Sequence, residues 1–250
     1  MLRHRVIPIV LLDGYSVVKT IKFDIRRNLG NPIVVSRVYN SRNVDELVLL
    51  DIDASKEGRA IDLHTVNLVA DECFMPLTVG GGLKNCDDIA RALEAGADKV
   101  SLNSIIFDNP KLLSEAVSVF GSQCIVVSVD VKKDMSGDYV LYSHSTRNIN
   151  MGFTEYIRLL NDCKVGEILL NNVDLDGVMT GYDYELISKA AKITNIPLIV
   201  AGGASKPQDC SEAIKAGASS VAAASIFHFT SITPRECKES MFEVGIPVRL

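Results

Sequence analysis

One stretch of the chain occurs twice. Thr78 to Ser104 reads TVGGGLKNCDDIARALEAGADKVSLNS, and Val200 to Ser225 reads VAGGASKPQDCSEAIKAGASSVAAAS. Gly81, Gly82, Gly96, Ala97 and Ser104 return as Gly202, Gly203, Gly217, Ala218 and Ser225, each 121 positions further on. Each copy holds a short apolar strand, a glycine pair, an amphipathic helix, a helix-ending glycine and a second apolar strand. Such a unit requires parallel strands joined by a right-handed crossover. Two halves of about 120 residues, with four strands each, predict an α/β fold: eight parallel strands closed into a (β/α)8 TIM barrel with an internal half-barrel duplication. The chain is then one barrel over 1–250, with half-barrels at about 1–122 and 123–250.

The strands can be read in order. Arg5–Leu12 is the first, followed by a turn at Asp13-Gly14 and a loop carrying Lys19 and Lys22. Asn31-Pro32 sets a cap and an N1 proline that open the first helix. Glu46–Asp51, Pro76–Gly80 and Lys99–Asn103 are the next strands, with helices over about Arg59–Cys73 and Cys86–Glu94 and another opening at Asn109-Pro110. In the second half the strands are Cys124–Asp130, Glu167–Asn171, Pro197–Ala201 and Ser220–Ala224. A polar hairpin lies near Asp134–Tyr142, and Thr233-Pro234 opens the last helix. Strands apolar along their whole length suit a sheet buried on both faces.

Composition narrows the classes of function. A net charge of −5, with no basic run, argues against nucleic acid as a partner. No apolar run approaches the ~20 residues of a membrane span, and the N-terminal stretch lacks the form of a signal peptide. The six cysteines show no CxxC spacing and read as reduced thiols of a cytoplasmic protein. No metal-ligand spacing is present, and no cofactor is expected.

In such a barrel the chemistry lies at the C-terminal ends of the strands. Those ends carry Leu11 or Asp13, Asp51, Gly80–Gly82, Asn103–Ser104, Asp130, Asn171 with Asp174–Gly177, Gly202–Gly203 and Ser225. Glycine pairs let a backbone approach a phosphate, and Ser104 and Ser225 precede segments whose N–H groups can hold an anion. Duplication therefore predicts two phosphate sites on opposite sides of one mouth; a lone Gly-Gly would be read only as a tight turn. Asp130, ending an apolar strand, suits a general base with a raised pKa, or a loop-anchoring acceptor. Lys19 could clamp a phosphate or be solvated. At the other end, Arg5, Glu46, Lys99 and Glu167 each start an apolar strand. They could form a ring of salt bridges; alone, they read as four exposed loop charges. His144 is the one histidine placed near the mouth, and a satisfied structural role is its default reading.

At these residues the chain resembles the HisF family, the cyclase subunit of imidazole glycerol phosphate synthase. The likeness spans the whole length and rests on Asp45–Ile52 (DELVLLDI), Thr78–Gly82, Gly96–Ser101, Gly121–Gln123 with Asp130, Gly166–Leu170, Asp174–Gly177 and Ala224–Phe229. It implies a (β/α)8 barrel paired with a HisH-like glutaminase, whose ammonia enters the bottom and meets a phosphorylated substrate at the top. By position it assigns one phosphate site to Gly82, Asn103 and Ser104, and the other to Asp176, Gly177, Gly203 and Ser225. Asp51 and Asn171 join the substrate site, and Lys19 becomes a catalytic mobile-loop lysine. Arg5, Glu46, Lys99 and Glu167 become an ammonia gate, and Asp98 a residue facing the glutaminase.

The chain departs from the family at one decisive position. The family cyclises its substrate with two aspartates, at the ends of the first and fifth strands. Asp130 matches the second, but the first segment reads Ile9–Gly14, IVLLDG, with Leu11 in the aspartate's place. Asp13 shares Leu11's parity and is a possible substitute. His144 and Ser145 also stand where Ser-Gly is usual. Leu11, the Leu49–Glu57 run LLDIDASKE and the Glu72–Leu77 run ECFMPL resemble a HisF-like branch that serves surface-polysaccharide (lipopolysaccharide) synthesis. There, barrel, glutaminase and an ATP-dependent sugar amidotransferase install an acetamidino group. The resemblance thus implies an ammonia-channelling paralogue. An active histidine-pathway cyclase and a non-enzymatic phosphate-binding barrel are the alternatives.

Overall fold

The computed structural model describes residues 3–144 and 149–250. In the first half, β1 (Arg5–Asp13), β2 (Ser16–Ile21), β3 (Ile25–Gly30) and α1 (Pro32–Ser41) lead to β4 (Leu47–Asp51). Then come α2 (Leu63–Ala70), β5 (Leu77–Gly80), α3 (Cys86–Glu94), β6 (Lys99–Leu102), α4 (Ile105–Asp108) and α5 (Lys111–Phe120). The second half runs β7 (Ile125–Lys133), β8 (Tyr139–Tyr142), α6 (Phe153–Cys163), β9 (Glu167–Asn172), α7 (Tyr184–Ala191) and β10 (Leu198–Ala201). It ends with α8 (Pro207–Lys215), β11 (Ser220–Ala223), α9 (Ser225–Phe229) and α10 (Pro234–Glu243).

Eight of these strands, β1, β4, β5, β6, β7, β9, β10 and β11, pair in parallel and close on themselves where β1 meets β11. The result is a (β/α)8 TIM barrel. Strand parity divides the apolar side chains in two. Ile7, Val48, Val126, Leu169, Ile199, Ala201 and Ala222 fill the barrel, while a larger cluster packs the outer sheet face against the helices.

Local chemistry explains where the helices begin and end. Asn31 caps α1 by accepting from the N–H of Ile33 at 2.8 Å, with Pro32 as its first residue; such a cap stabilises by about 1 kcal/mol. Thr233 and Glu236 form a reciprocal capping box ahead of α10. The helix-ending glycines close paired Schellman motifs: Ala97 N–H donates to Ala92 O, and Gly96 N–H to Leu93 O. Ala218 to Ala213 and Gly217 to Ile214 repeat the arrangement. The 121-residue offset therefore recurs in the coordinates as in the sequence. Asp62 and Asp183 cap α2 and α7, and the carboxylates of Asp88 and Asp209 accept from Lys84 N and Ser205 N.

Three expectations need correction. The segment after β1 is an antiparallel hairpin of β2 and β3, where a loop carrying Lys19 and Lys22 was expected. In β3 the side chains of Ile25 to Asn28 are all exposed, so no apolar alternation marks the strand. The helix expected from Arg59 begins only at Leu63. Ahead of it, the N–H of Ile61 is taken by Gly81 O, and Asp62 supplies the cap. The fifth barrel strand runs past Asp130 to Lys133, carried on by its pairing with β8.

A Cβ on Gly96 would stand 2.6 Å from Cβ of Ala70, and one on Gly217 2.6 Å from Cβ of Ala191, both at left-handed φ. Gly137, with φ +88°, has open space around it. Gly96→Ala and Gly217→Ala should each cost about 2–4 kcal/mol, from backbone strain plus overpacking. Gly137→Ala should cost about 1–2 kcal/mol, from strain alone. Guanidinium unfolding of the three variants checks this, and equal losses would show that the neighbouring helix is not in the way.

Candidate functional site

The carboxyl ends of the barrel strands surround one cavity. Ile9, Leu11, Leu50 and Leu169 make its apolar wall, and Asp51, Asn103, Asp130, Asn171 and Asp176 its polar one. Asp130 sits deepest in chemical terms. Nδ2 of Asn103 donates to its Oδ2 at 2.6 Å, and Nδ2 of Asn171 lies 3.5 Å from its Oδ1. Burial pushes the Asp130 carboxyl up to about 7 against the pull of those two amides, and Asp176 adds to the rise. A carboxyl poised there can both take and give a proton near neutrality.

Leu11 occupies in the first half the place that Asp130 occupies in the second. Leu11 pairs with Leu50 in the sheet, and Asp130 pairs with Asn171. Leu50 and Asn171 are 121 residues apart, so Leu11 holds on β1 the place that Asp130 holds on β7. Its side chain lines the cavity and is 8% exposed. Asp13 lies outside this cavity. Its carboxylate takes a hydrogen bond from Nη1 of Arg26 at 2.8 Å and is 42% exposed. The same guanidinium holds Asp53, through Nη2 at 2.7 Å, and these hydrogen bonds keep the Asp53 carboxyl below its usual range.

The other acids of the cavity are already paired. Asp51 is held by Arg59 Nη1 at 2.5 Å and accepts from the N–H groups of Asp53 and Ala54. Asp176 accepts from Lys19 Nζ at 2.8 and 3.1 Å and from the Thr20 hydroxyl at 2.7 Å. Lys19 is thus neither on an open loop nor solvated: it is buried on β2 and 3% exposed. The hairpin folds over the mouth, and its tip, Lys22 and Phe23, takes left-handed φ values of 53° and 61°. Phe23 meets the ring of Tyr142 edge-on at 6.0 Å.

Two backbone cradles face each other across the cavity. A Cβ on Gly82 would collide with the carbonyl of Arg59, and one on Gly203 with that of Gly181, so only glycine fits at either place. Beside the first lie Asn103 and Ser104, whose hydroxyl is 3.0 Å from that of Ser143. Beside the second lie Asp176, Gly177 and Ser225. The Ser225 hydroxyl is buried with no hydrogen-bond partner, as are the amide oxygens of Asn103 and Asn171. Buried polar atoms left unpaired cost free energy and mark places where a ligand can supply the bond.

At the opposite end the four strand-start charges form a closed ring. Arg5 bridges Glu46, at 2.5 Å, and Glu167; Lys99 bridges the same two at 3.0 and 2.6 Å. The reading of these residues as exposed loop charges is therefore wrong, and Glu46 is 1% exposed. Thr78 adds a hydrogen bond to Glu46 at 2.7 Å, and Ser220 accepts from Arg5 Nε at 3.0 Å. Burial alone would raise the Glu167 carboxyl, but Arg5 and Lys99 outweigh it and hold it below the usual range. Asp98 lies on this same face, exposed, and its carboxylate caps β5 by accepting from Leu77 N at 2.8 Å.

Sequence reasoning missed Arg26, Thr20 and Tyr142. Arg26 and Thr20 were hidden with their hairpin. Tyr142 lies directly across the β7–β8 ladder from Asp130, a pairing that the expected hairpin could have revealed. His144 lines the cavity, 3.4 Å by Nδ1 from the Tyr142 hydroxyl, whereas Ser145 falls outside the described residues. His228 is partly buried beside Tyr39; burial, with Lys19 and Arg42, lowers it to about 4.

A closed (β/α)8 barrel with a polar mouth, twin glycine cradles and a charged floor defines a TIM barrel of the enzyme class. Comparison with known proteins gives the family: residues 5–233 match the family described as "Histidine biosynthesis protein". The chain is 44% identical, over the full length of both, to a Campylobacter jejuni protein named "Putative imidazole glycerol phosphate synthase subunit hisF2". It is 44% identical to the HisF subunit of imidazole glycerol phosphate synthase of Dictyoglomus thermophilum, again over both full lengths. It is 41% identical to that of Caulobacter vibrioides, over all of this chain and 97% of the relative. The chain belongs to the HisF family.

Asp130 gives a prediction of definite sign. Its carboxyl is raised above the unfolded value, so the folded state holds more protons than the unfolded one between about 4 and 7. Wild-type stability should therefore fall as pH rises through that window. Asp130→Asn, which cannot ionise, should gain on wild type by about 1–3 kcal/mol above pH 7 and by much less at pH 4. Urea denaturation across pH 4–8 reads this, and a pH-independent difference would contradict the raised carboxyl.

Proposed function

We propose that the chain is the synthase subunit of a glutamine amidotransferase. A HisH-like glutaminase docks on the face carrying Asp98, and its ammonia enters past Arg5, Glu46, Lys99 and Glu167 when one ion pair of the ring parts. At the mouth the ammonia meets a phosphate-bearing acceptor held between the cradle of Gly82, Asn103 and Ser104 and that of Asp176, Gly177, Gly203 and Ser225. Asp130 serves as the acid–base group beside the acceptor, while Asp51 and Asn171 hold it. Lys19 closes over it from the hairpin. No resident cofactor is required.

The acceptor is not the ring-closing substrate of the histidine pathway. One observation carries this reading: Leu11 lines the cavity in the place symmetric to Asp130, while Asp13 is drawn off to Arg26. Loss of the acid half of such a pair is typically worth ~10²–10⁴-fold in rate. The product path is then nitrogen transfer to a sugar of a surface polysaccharide, with an ATP-dependent amidotransferase as a further partner. The complex works in the cytoplasm. Free thiols at all six cysteines suit a reducing compartment.

A second reading follows from the names of the relatives, which are subunits of imidazole glycerol phosphate synthase. In it the chain closes the imidazole ring, and Asp13 leaves Arg26 to act as the acid. One experiment separates the two. Adding the chain to a HisH-like glutaminase should raise glutamate release, yet ammonium plus the cyclase substrate should yield no imidazole glycerol phosphate. Turnover that Asp13→Asn abolishes would establish the second reading instead.

A further inference from the structure

The two halves of the barrel each send a hairpin over the mouth, and the sheet register equates them. In the first, Val18 pairs with Leu11; in the second, Tyr142 pairs with Asp130. Leu11 and Asp130 are symmetric, so Val18 corresponds to Tyr142, Lys19 to Ser143 and Thr20 to His144. The first pair, Lys19 and Thr20, closes the side of the mouth that holds Gly203 and Ser225, through Asp176. The second pair closes the side that holds Gly82 and Ser104, through the contact of Ser143 with Ser104 at 3.0 Å.

The halves differ in where they place a cation. The first offers Lys19, but Asp176 neutralises it at 2.8 Å. The second has the uncharged Ser143 in that place, and the residue symmetric to Asp176 is Ser55, also uncharged and also lining the cavity. From the described return limb of the second hairpin, His144 is the side chain that lines the cavity. Its Nδ1 is 3.4 Å from the Tyr142 hydroxyl, and Tyr142 is itself set between Phe23 and Nζ of Lys132, 4.8 Å from its ring centroid. With Nδ1 beside that hydroxyl, Nε2 is the ring nitrogen left to meet a ligand.

We infer that His144 is a binding residue for the anionic group seated at Gly82 and Ser104, reaching it from the hairpin limb symmetric to the one that carries Lys19 on the other side. The inference rests on the reading of the two cradles as anion sites. Its ligand class is a phosphate monoester or a comparable dianion. The role differs from that of a structural histidine, because protonation adds a charge-assisted hydrogen bond to the ligand and so ties affinity to pH. The other groups around this side are Asp130 and Lys132 on β7, Tyr142 on β8, Asp51 and Lys56 in the turn that packs on Gly81 and Gly82, and Arg26 of β3.

Sulfate serves as the probe, since its charge is constant between pH 5.5 and 8, and backbone NMR of Ser104 and Ser225 reads the two sides separately. Wild type should bind sulfate at Ser104 more tightly at pH 5.5 than at pH 8. His144→Gln should weaken binding at Ser104 by about 5-fold or more at pH 5.5 and leave Ser225 unmoved. His144→Lys should restore the affinity. Asp130 also loses charge as pH falls, so Asp130→Asn is the control: residual pH dependence in it belongs to His144. Sulfate that moves Ser104 equally in wild type and His144→Gln would overturn the inference while sparing the cradles. Sulfate that moves neither serine would overturn the cradles themselves, and the inference with them.

Discussion

Closure of the sheet by β1 and β11 is the constraint on which the other features depend. Arg5, Val6, Ile7 and Pro8 pair with Ser220, Val221, Ala222 and Ala223. That partnership stops at Pro8, which has no N–H to give, and further along the same edge β2 pairs with Leu11–Asp13 while β4 covers the other edge. Slipping this register by one residue would turn every side chain of β1 to the other face. Arg5 would leave the floor, and Leu11 would exchange the mouth for the helix layer. The same four pairings thus fix the bottom ring and the character of the top.

Floor and mouth are built on opposite electrostatic plans. At the floor each acid has two cationic partners, and Glu46 has a threonine hydroxyl as well. A buried ion pair persists only when its bonds are this complete. The mouth instead keeps Asn103 Oδ1, Asn171 Oδ1 and the Ser225 hydroxyl buried and unbonded, and a carboxyl whose burial favours its protonated form. Each departure costs stability, and they gather at the mouth, as strained and unpaired groups do at functional sites.

How much of this could be read from the chain depended on which physical signal carried it. The barrel followed from the repeat: Gly96 and Gly217 end helices, Gly82 and Gly203 leave room for a carbonyl, and their spacing is fixed. The ring was readable as residue positions but not as contacts, since four strand-start charges become a network only once the barrel brings β1, β4, β6 and β9 together. The hairpin of β2 and β3 left no pattern, because Arg26, Arg27 and Asn28 are solvent-facing and its stability comes from docking on Asp176 and Gly177. The pairing of Asp13 was hidden for the same reason: its partner, Arg26, lies on the strand that could not be seen. Leu11 was visible in the sequence as an apolar residue near a strand end, and the register gives it on β1 the place that Asp130 has on β7.

The glycine cradles have a consequence of scale. They follow strands β5 and β10 on opposite sides of the rim, so on the proposed reading of both as anion seats the span between them would act as a ruler. A molecule with one charged end engages one seat and dissociates from it readily. One whose two charged ends match the span gains the second contact at high effective concentration, without any increase in the strength of either. Length, read by two gaps where a methyl group cannot fit, is then a criterion of selection in its own right.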